Sequence, residues 1–166
     1  MNEDYPDVRL ATESDRGGVL DLCRMLHEEN GIFPLKIERV EDVLDRAIRH
    51  DTANPAFVGV IGDKQIKGCV AIAIHSFWYT DSETPCCDEL WNFVHPDHRR
   101  SDYAKQQIRF AMDVSEVWGL PLMIGVLSLD KRTEAKVRLY ERLLRKAGAY
   151  FVHFPASYAV PKAMGG

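Results

Sequence analysis

The sequence predicts a mixed α/β (α+β) domain in which a central β-sheet carries helices on both faces. Strand-like apolar runs and segments with the apolar period of a helix follow one another without the strict alternation of a doubly wound fold. Gly, Pro and Asn separate these segments. The 166 residues are 46% apolar and 28% charged, which fits a single domain spanning residues 1–166.

The first third predicts one short strand and two helices. Residues 8–11 alternate as a strand, and Ser14 or Asp15 can cap the helix that follows. Asn30 and the glycine after it end this helix. A second helix covers residues 38–49. The apolar positions that face inward on the two helices are Val19, Leu22, Leu26, Val40, Val43, Leu44, Ala47 and Ile48.

The middle of the chain predicts three strands. They cover residues 56–61, 66–78 and 88–94, with a turn at Gly62 and a stop at Pro96. A helix that begins near Ser101 or Asp102 follows and ends before Gly119. Its inward face carries Ala104, Ile108, Ala111, Met112 and Trp118.

The last third predicts a strand, a helix and two short strands. Residues 122–127 are nearly all apolar, which is typical of a strand buried on both faces. Residues 134–146 form an amphipathic helix that Gly148 ends. The two short strands cover residues 150–154 and 157–160.

Charge and cysteine content exclude several functional classes. A net charge of −4 argues against a nucleic-acid-binding protein, and no apolar run reaches the length of a membrane span. The four cysteines include no C-x-x-C pair, and the first residues carry no secretory signal. These features predict a protein with reduced thiols in the cytoplasm.

The stretch from Val94 to Ala104 is the most informative part of the sequence. It predicts a strand, a loop with Arg99 and Arg100, and the start of a helix. The N–H groups and the dipole at a helix N-terminus attract phosphate oxygens, and arginines add charge-assisted hydrogen bonds. The alternative, that both arginines are solvated loop charges, is equally consistent with this stretch alone.

The same stretch resembles the acetyl-CoA signature of the Gcn5-related N-acetyltransferases, V-x-P followed by [Q/R]-x-x-G-x-[G/A]. Arg99 and Ala104 match its first and last positions, and the order of elements from residue 8 to residue 160 is similar to that family. The resemblance implies acetyl-CoA as co-substrate and a sheet that splays beside Val94. It implies pantetheine pairing near Phe93 and Val94. The pyrophosphate would bind the segment Arg100, Ser101, Asp102, Tyr103 and Ala104.

Asp102 is the main departure from the family pattern, which has glycine at this position. Its carboxylate adds bulk and negative charge where a phosphate would approach. Either the side chain turns outward and caps the helix, or cofactor binding is weakened. We expect the first, because Arg99 and Arg100 offset one carboxylate.

Tyr140 is the predicted general acid. The run Leu139-Tyr140-Glu141 resembles the family helix whose tyrosine faces the thioester sulfur. A tyrosine at this position on an apolar stripe is otherwise a packing residue.

Asp88 and Glu89 are the predicted bases, since Asp88 matches most nearly the carboxylate position of some family members. Neighbouring strand residues face opposite sides, so one of the two at most can face the acceptor. Exposed hairpin charges are an equally good interpretation. His75, His95 and His98 are weaker candidates.

The resemblance places the acceptor beside the first two helices and the hairpin after the long strand. The corresponding aromatic and acidic residues include Glu28, Glu29, Phe33 and Trp78. Such residues suit a cationic amine, of a small molecule or of a protein. Solvated acids and packed aromatics are the alternative, and exposed aromatics are also compatible with a homodimer.

Three further hypotheses remain open. A degenerate acyl-CoA-binding or interaction module would explain Asp102, and a nucleic-acid-associated protein would use the basic loop. The segment from His98 to Ala104 also resembles acetyltransferase-like proteins of bacteriophages. A zinc site of Cys86, Cys87 and loop histidines has unsuitable spacing, so no metal is expected.

Overall fold

The computed structural model describes residues 3–77, 83–126 and 133–148. Within these ranges the chain divides into two compact units. One contains residues up to Cys23 together with residues 36–124, and the other contains residues 24–35 together with the residues from Gly125 onward. The predicted strands at residues 150–154 and 157–160 lie outside the described residues.

The first unit is built on a five-stranded sheet in the order β1-β2-β3-β4-β5. Its strands are β1 (Val8–Leu10), β2 (Ala56–Ile61), β3 (Gly68–Ser76), β4 (Pro85–Val94) and β5 (Leu122–Met123). The first four strands are antiparallel, and β5 runs parallel to β4. The predicted mixed sheet is confirmed.

Helices cover both faces of this sheet, as predicted. They are α1 (Arg16–Asn30), α2 (Ile37–Arg49) and α3 (Tyr103–Trp118). The α3 side of the core contains Val8, Ile61, Val70, Ile72, Cys87, Phe110, Ala111 and Val114. On the other face, α2 packs against β2, and Cys23 of α1 contacts Cys69 of β3.

Gly59 on β2 shows why the sheet and α3 fit closely. A Cβ atom there would lie 2.9 Å from ring atom Cε1 of Phe110 and 2.9 Å from Cγ1 of Val8. Both distances are too short for real contacts, so a larger residue here would require the Phe110 and Val8 side chains to shift.

The predicted β5 is wrong in length and burial. The strand contains only Leu122 and Met123 within the described residues, and the side chains from Leu122 to Ile124 are half-buried. An all-apolar sequence predicts burial on both faces, whereas these side chains keep part of their surface in contact with solvent.

The predicted last helix is too long. Helix α4 covers Thr133–Glu141 and ends five residues before the predicted end at position 146. Gly148 therefore lies beyond the helix and does not end it. The long strand is also shorter than predicted, since β3 ends at Ser76 and Ile66 precedes it.

Candidate functional site

The edge of β4 that faces β5 is open over most of its length. β4 pairs with β5 at Cys87 and Asp88, and no further pairing follows toward Val94 in the described part of the chain. On its other side, β4 pairs with β3 along the whole strand. Such an edge offers unpaired backbone groups to an extended ligand.

The ladder determines which backbone groups face this open edge. The His95 amide donates to the Lys67 carbonyl of the preceding hairpin at 2.8 Å. Bonded and non-bonded pairs alternate along an antiparallel ladder, so the Phe93 backbone points toward β3. The amides and carbonyls of Asn92 and Val94 point away from β3. The backbone groups available to a pantetheine arm are therefore those of Asn92 and Val94, and the sequence prediction included Val94 but not Asn92.

A β-bulge at Leu90 interrupts β4. Trp91 lies opposite Ala71 and Glu89 lies opposite Ile72, so Leu90 has no partner residue on β3. The Leu90 side chain is 40% exposed. A bulge re-aims the neighbouring side chains and leaves backbone groups unpaired, and here it lies just beyond the last β4–β5 pair.

The loop after β4 consists of two consecutive turns. Pro96 begins a short 3-10 helix, in which the His98 amide donates to the His95 carbonyl at 2.9 Å. The Ser101 amide and hydroxyl both donate to the His98 carbonyl, at 3.1 and 2.6 Å. Ser101 Oγ in turn accepts from the Tyr103 amide at 3.3 Å. Ser101 thus fixes the entry to α3.

These turns leave a group of amides pointing outward. Within the described ranges, the N–H groups of Arg100, Asp102, Ala104 and Lys105 have no hydrogen-bond acceptor. They surround the N-terminus of the 16-residue helix α3, where the helix dipole also favours negative charge. The arrangement has the donors that a diphosphate requires.

Asp102 occupies the N-cap position but does not cap the helix. Its Oδ1 accepts from the Gln106 side-chain amide at 2.9 Å, and Gln106 also binds Asp7. The carboxylate is therefore held on α3 while the loop amides stay free. The φ of −91° and ψ of 10° at Asp102 are accessible to all residues, so the conformation does not require glycine. Asp102 thus has the predicted position at the start of α3, but the predicted capping hydrogen bond from its side chain is not formed.

We expect Asp102→Asn to tighten acetyl-CoA binding about threefold, because it removes one exposed negative charge beside the amides where the family resemblance places the pyrophosphate, and it keeps the acceptor for Gln106. The gain should shrink as salt is added. Isothermal titration at 50 and 300 mM NaCl measures it, with Asp42→Asn on α2 as a matched change of charge. Weaker binding by Asp102→Asn would contradict the prediction.

The two arginines of the loop differ in their surroundings. The guanidinium of Arg99 lies over the Phe93 ring, 5.3 Å from its centroid, which fixes the side chain beside β4. Arg100 is exposed and makes no ion pair or hydrogen bond with any other described residue. Arg100 is therefore the cation that is available to an anionic ligand.

Asp88 and Glu89 lie on opposite faces of the sheet. Asp88 is opposite Ala73 on the α1–α2 side, and Glu89 is opposite Ile72 on the α3 side. Asp88 Oδ2 lies 3.0 Å from His75 Nε2. The structure thus joins Asp88 to a histidine that the sequence ranked lower.

The remaining predicted residues belong to the second unit or lie outside the described residues. Tyr140 is half-buried on α4, and its carbonyl accepts from the amides at positions 143 and 144. Glu28 is exposed and Glu29 is half-buried at the end of α1. Phe33 is 60% exposed, and its carbonyl lies 2.6 Å from His27 Nε2. Trp78 lies outside the described residues.

All four cysteines are buried and reduced. Burial raises the pKa of Cys87 to about 11, and it also raises the pKa of Cys86, to which the Asp88 charge contributes. The hydrogen bond with Cys23 and complete burial raise the pKa of Cys69. A thiol reacts as its thiolate, so these groups are protected in the native state.

We therefore expect the native protein to react slowly with a colorimetric disulfide reagent at pH 8, and to release four equivalents of colour after unfolding in guanidinium. Fast reaction of one thiol in the native protein would contradict the burial of the four cysteines. Slow reaction of the native thiols would also allow coenzyme A release to be measured with this reagent, since the protein would contribute little background.

No helix in the described ranges is long and apolar enough to cross a membrane. No group of three or more His, Cys, Asp or Glu side chains in these ranges could hold a metal ion.

A protein-family comparison agrees with this geometry. The family model described as acetyltransferase (GNAT) family matches residues 21–144, which is most of the chain. The chain belongs to the GNAT acetyltransferase family. It is accordingly an acetyl-CoA-dependent N-acyltransferase, and the resemblance seen in the loop after β4 is confirmed. A search of curated proteins gave no match.

Solved structures share this GNAT fold at low sequence identity. An acetyltransferase of Trypanosoma brucei is 19% identical, with a TM-score of 0.62 over 89% of this chain and 97% of that one. The aminoglycoside acetyltransferase AAC(6')-Iy, solved with a bisubstrate analogue of coenzyme A, is 16% identical, with a TM-score of 0.64 over 90% and 97%. An acetyltransferase of Clostridium acetobutylicum with acetyl-CoA is 14% identical, with a TM-score of 0.64 over 89% and 94%.

The described residues of this GNAT protein fit acetyl-CoA. Unpaired amides at the α3 N-terminus and the free cation of Arg100 suit the pyrophosphate. The backbone of Asn92 and Val94 along the open edge suits an amide-containing arm. When bound, acetyl-CoA supplies the acetyl thioester, and the protein supplies its orientation.

Proposed function

We propose that the protein transfers the acetyl group of acetyl-CoA to a primary amine of a small molecule or of a protein, by direct attack of the amine on the thioester. The observation that carries this proposal is the open edge of β4 leading to the unpaired amides between Arg100 and Lys105. This arrangement orients an acyl donor along the sheet beside Asp88.

The reaction requires two proton transfers, and separate residues are proposed for them. The attacking amine must lose a proton, for which Asp88 is the better placed carboxylate because it faces the side of α1 and α2. Glu89 faces α3 and is the less favoured base. The departing thiolate must gain a proton, for which Tyr140 is proposed on the family pattern of its helix.

The acceptor is proposed to bind near the acidic end of α1, where Glu28, Glu29 and Phe33 lie. Trp78, which lies outside the described residues, stays a proposed acceptor residue on the family resemblance alone. A carboxylate and an aromatic ring suit an ammonium group. Relatives of the same fold include aminoglycoside acetyltransferases, a ribosomal-protein-alanine acetyltransferase of Brucella melitensis and a glucosamine-6-phosphate acetyltransferase of Arabidopsis thaliana. These titles define the amines to test first.

The test has two steps. Isothermal titration with acetyl-CoA should give micromolar binding. Coenzyme A release is then followed with neamine, glucosamine 6-phosphate and a peptide with an N-terminal alanine. Turnover of one amine supports the proposal. Binding without turnover on any of them would instead support an acyl-CoA-binding module, for which Asp102 is the motivating residue.

Two further proposals concern the surroundings of the enzyme. The four reduced, buried cysteines support a reducing compartment such as the cytoplasm.

A homodimer is proposed because Val117 and Trp118 at the end of α3 remain 76% and 42% exposed. Sedimentation velocity measures this, and Val117→Glu should shift a dimer to a monomer.

A further inference from the structure

The pair of His75 and Asp88 is a feature that the family pattern does not explain. His75 lies on β3 and Asp88 on β4, and the two side chains meet on the α1–α2 face of the sheet. His75 Nε2 is 3.0 Å from Asp88 Oδ2, and His75 Nδ1 is 3.1 Å from the Ser76 carbonyl oxygen. The side chains are 45% and 34% exposed, so the pair is in contact with solvent.

These contacts favour a protonated imidazole. Both ring nitrogens face oxygen acceptors, and only the imidazolium can donate to both. The Ser76 carbonyl first, and then Asp88, raise the pKa of His75 above its ordinary value of 6.5, while partial burial opposes them. A proton that arrives at this pair is therefore stabilised near neutral pH.

The pair lies where the thioester is expected. The last β4–β5 pair is Asp88 with Met123, and the bulge at Leu90 follows it. Because of the bulge, the stretch from Val94 to Asp88 spans five positions of β3, which is about 17 Å at roughly 3.3 Å per residue. An arm that binds the Asn92 and Val94 backbone therefore directs its acyl end toward Leu90 and Asp88.

We propose that His75 is the final proton acceptor of the reaction, taking through the Asp88 carboxylate the proton that the acceptor ammonium loses before attack. This inference rests on the proposed function. The step starts from the neutral imidazole, the form that His75 takes above its raised pKa. The ammonium N–H bond breaks, the proton passes through the carboxylate, and a bond from Nε2 to hydrogen forms. Asp88 ends as a carboxylate, the amine is neutral, and the exposed imidazolium returns its proton to water.

The chemistry of the two groups explains why a pair is more effective than a carboxylate alone. Carboxylates as a class titrate near pH 4 and imidazoles near pH 6.5 (about 3.9 and 6.5 in model peptides). Proton transfer is most effective when the pKa of the base is close to the working pH. His75 supplies that match, while Asp88 is the group that reaches the substrate.

The neighbours of His75 define what a pH profile reports. From β4, the titratable groups that face it are Asp88 and Cys86, and the Cys86 thiol donates to the His75 carbonyl. From its own strand, the Ser76 carbonyl and the Phe77 ring lie against it. Because the pKa of Cys86 is raised, this thiol stays protonated through the acidic limb. The acceptor ammonium also titrates, so the part of the limb that His75→Gln removes is the part that belongs to His75.

The experiment compares the natural protein with His75→Gln, Asp88→Asn and the matched control Asp42→Asn. Coenzyme A release is followed from pH 5.5 to 9 with an amine that the natural protein acetylates. We expect kcat/KM of the natural protein to fall on the acidic side of an apparent pKa above 6.5. His75→Gln should lose this limb and at least about tenfold in kcat at pH 7.5, with an unchanged Kd for acetyl-CoA. Asp88→Asn should lose more, and Asp42→Asn should match the natural protein.

Each outcome decides between the alternatives. An acidic limb and a kcat that survive in His75→Gln overturn the proton-acceptor role and leave the proposed function standing. If His75→Gln unfolds, His75→Ala with added imidazole replaces it, and restored turnover supports the role whereas no recovery in a folded variant overturns it. A natural protein that acetylates none of the amines overturns the proposed function and this inference with it.

Discussion

Tyr140→Phe should reduce kcat about 10²- to 10³-fold while leaving the Kd for acetyl-CoA unchanged. The substitution removes one hydroxyl group and keeps the aromatic ring on α4. Without that hydroxyl the sulfur would leave as an unprotonated thiolate, so the loss belongs to the chemical step. Steady-state coenzyme A release and isothermal titration separate kcat from binding.

Tyr5→Phe is the matched control for this change. The Tyr5 hydroxyl donates to Asp113 Oδ2 at 2.6 Å, so its removal should cost about 1 kcal/mol of stability. It should leave kcat within twofold. A Tyr140→Phe enzyme with natural kcat would assign Tyr140 to packing and leave the leaving group to be protonated by water.

Asp15→Ala should lower the free energy of unfolding by about 3 kcal/mol. The Asp15 side chain is 2% exposed and accepts two hydrogen bonds from the Arg9 guanidinium, both at 2.7 Å. It also accepts from the amide and the hydroxyl of Thr12, both at 2.8 Å. Arg9 in turn donates to the Gly62 carbonyl, so one carboxylate links β1, the start of α1 and the β2–β3 turn. Guanidinium denaturation measures the loss.

The pH dependence of stability provides a second measurement at Asp15. The Arg9 hydrogen bonds, followed by those from Thr12, lower the pKa of Asp15 from 3.8 to about 2. A carboxylate with a lowered pKa in the folded state contributes stability that is present above pH 3.8 and is lost as the pH falls toward 2. We expect about 2 kcal/mol of stability to be lost in this window, and Asp15→Ala to lack that component.

Asp63→Ala is the control, because Asp63 contacts the same arginine from solvent. Its side chain is 92% exposed and lies 3.4 Å from Arg9 Nε. Exposed ion pairs contribute about 0–1 kcal/mol, so Asp63→Ala should change stability little. Equal losses in both variants would show that burial of the Asp15 pair does not determine its contribution.

The sequence predicted most of the sheet because the strands of the first unit have simple patterns. Residues 56–61 match β2 in both bounds, and Pro96 marks the end of β4 correctly. The second helix was predicted to within one residue. Glycine or proline lies next to the ends of β2 and β4, and the helix has a clear 3.6-residue period that ends at His50 in a left-handed conformation.

The errors came where apolar composition was the only signal. Residues 122–127 have the composition of a central strand, but within the described residues β5 contains only Leu122 and Met123, and both side chains are half-buried. The last helix continues its apolar period beyond Glu141, and yet the structure ends it there. Periodicity reports which face is apolar, while the length of an element depends on the partners that cover that face.

The site was predicted in part because its motif is local. The loop from Val94 to Ala104 forms one continuous stretch, so its residues could be found together. The contact of His75 with Asp88 depends on the β3–β4 register, which a bulge shifts by one residue. The same bulge and the alternation of the ladder direct the Asn92 backbone to the open edge. Neither effect has a signature in the sequence.

The bulge at Leu90 is a feature that the pairing of β3 with β4 does not require. All of the pairs between β3 and β4 could form without Leu90, since the residues on either side of it already lie opposite consecutive residues of β3. The shortened strand would form a regular ladder, and the sheet would lose an exposed leucine together with an unpaired peptide. Leu90 is thus an insertion in the β3–β4 ladder, and its deletion would straighten β4 at the point where the open edge begins.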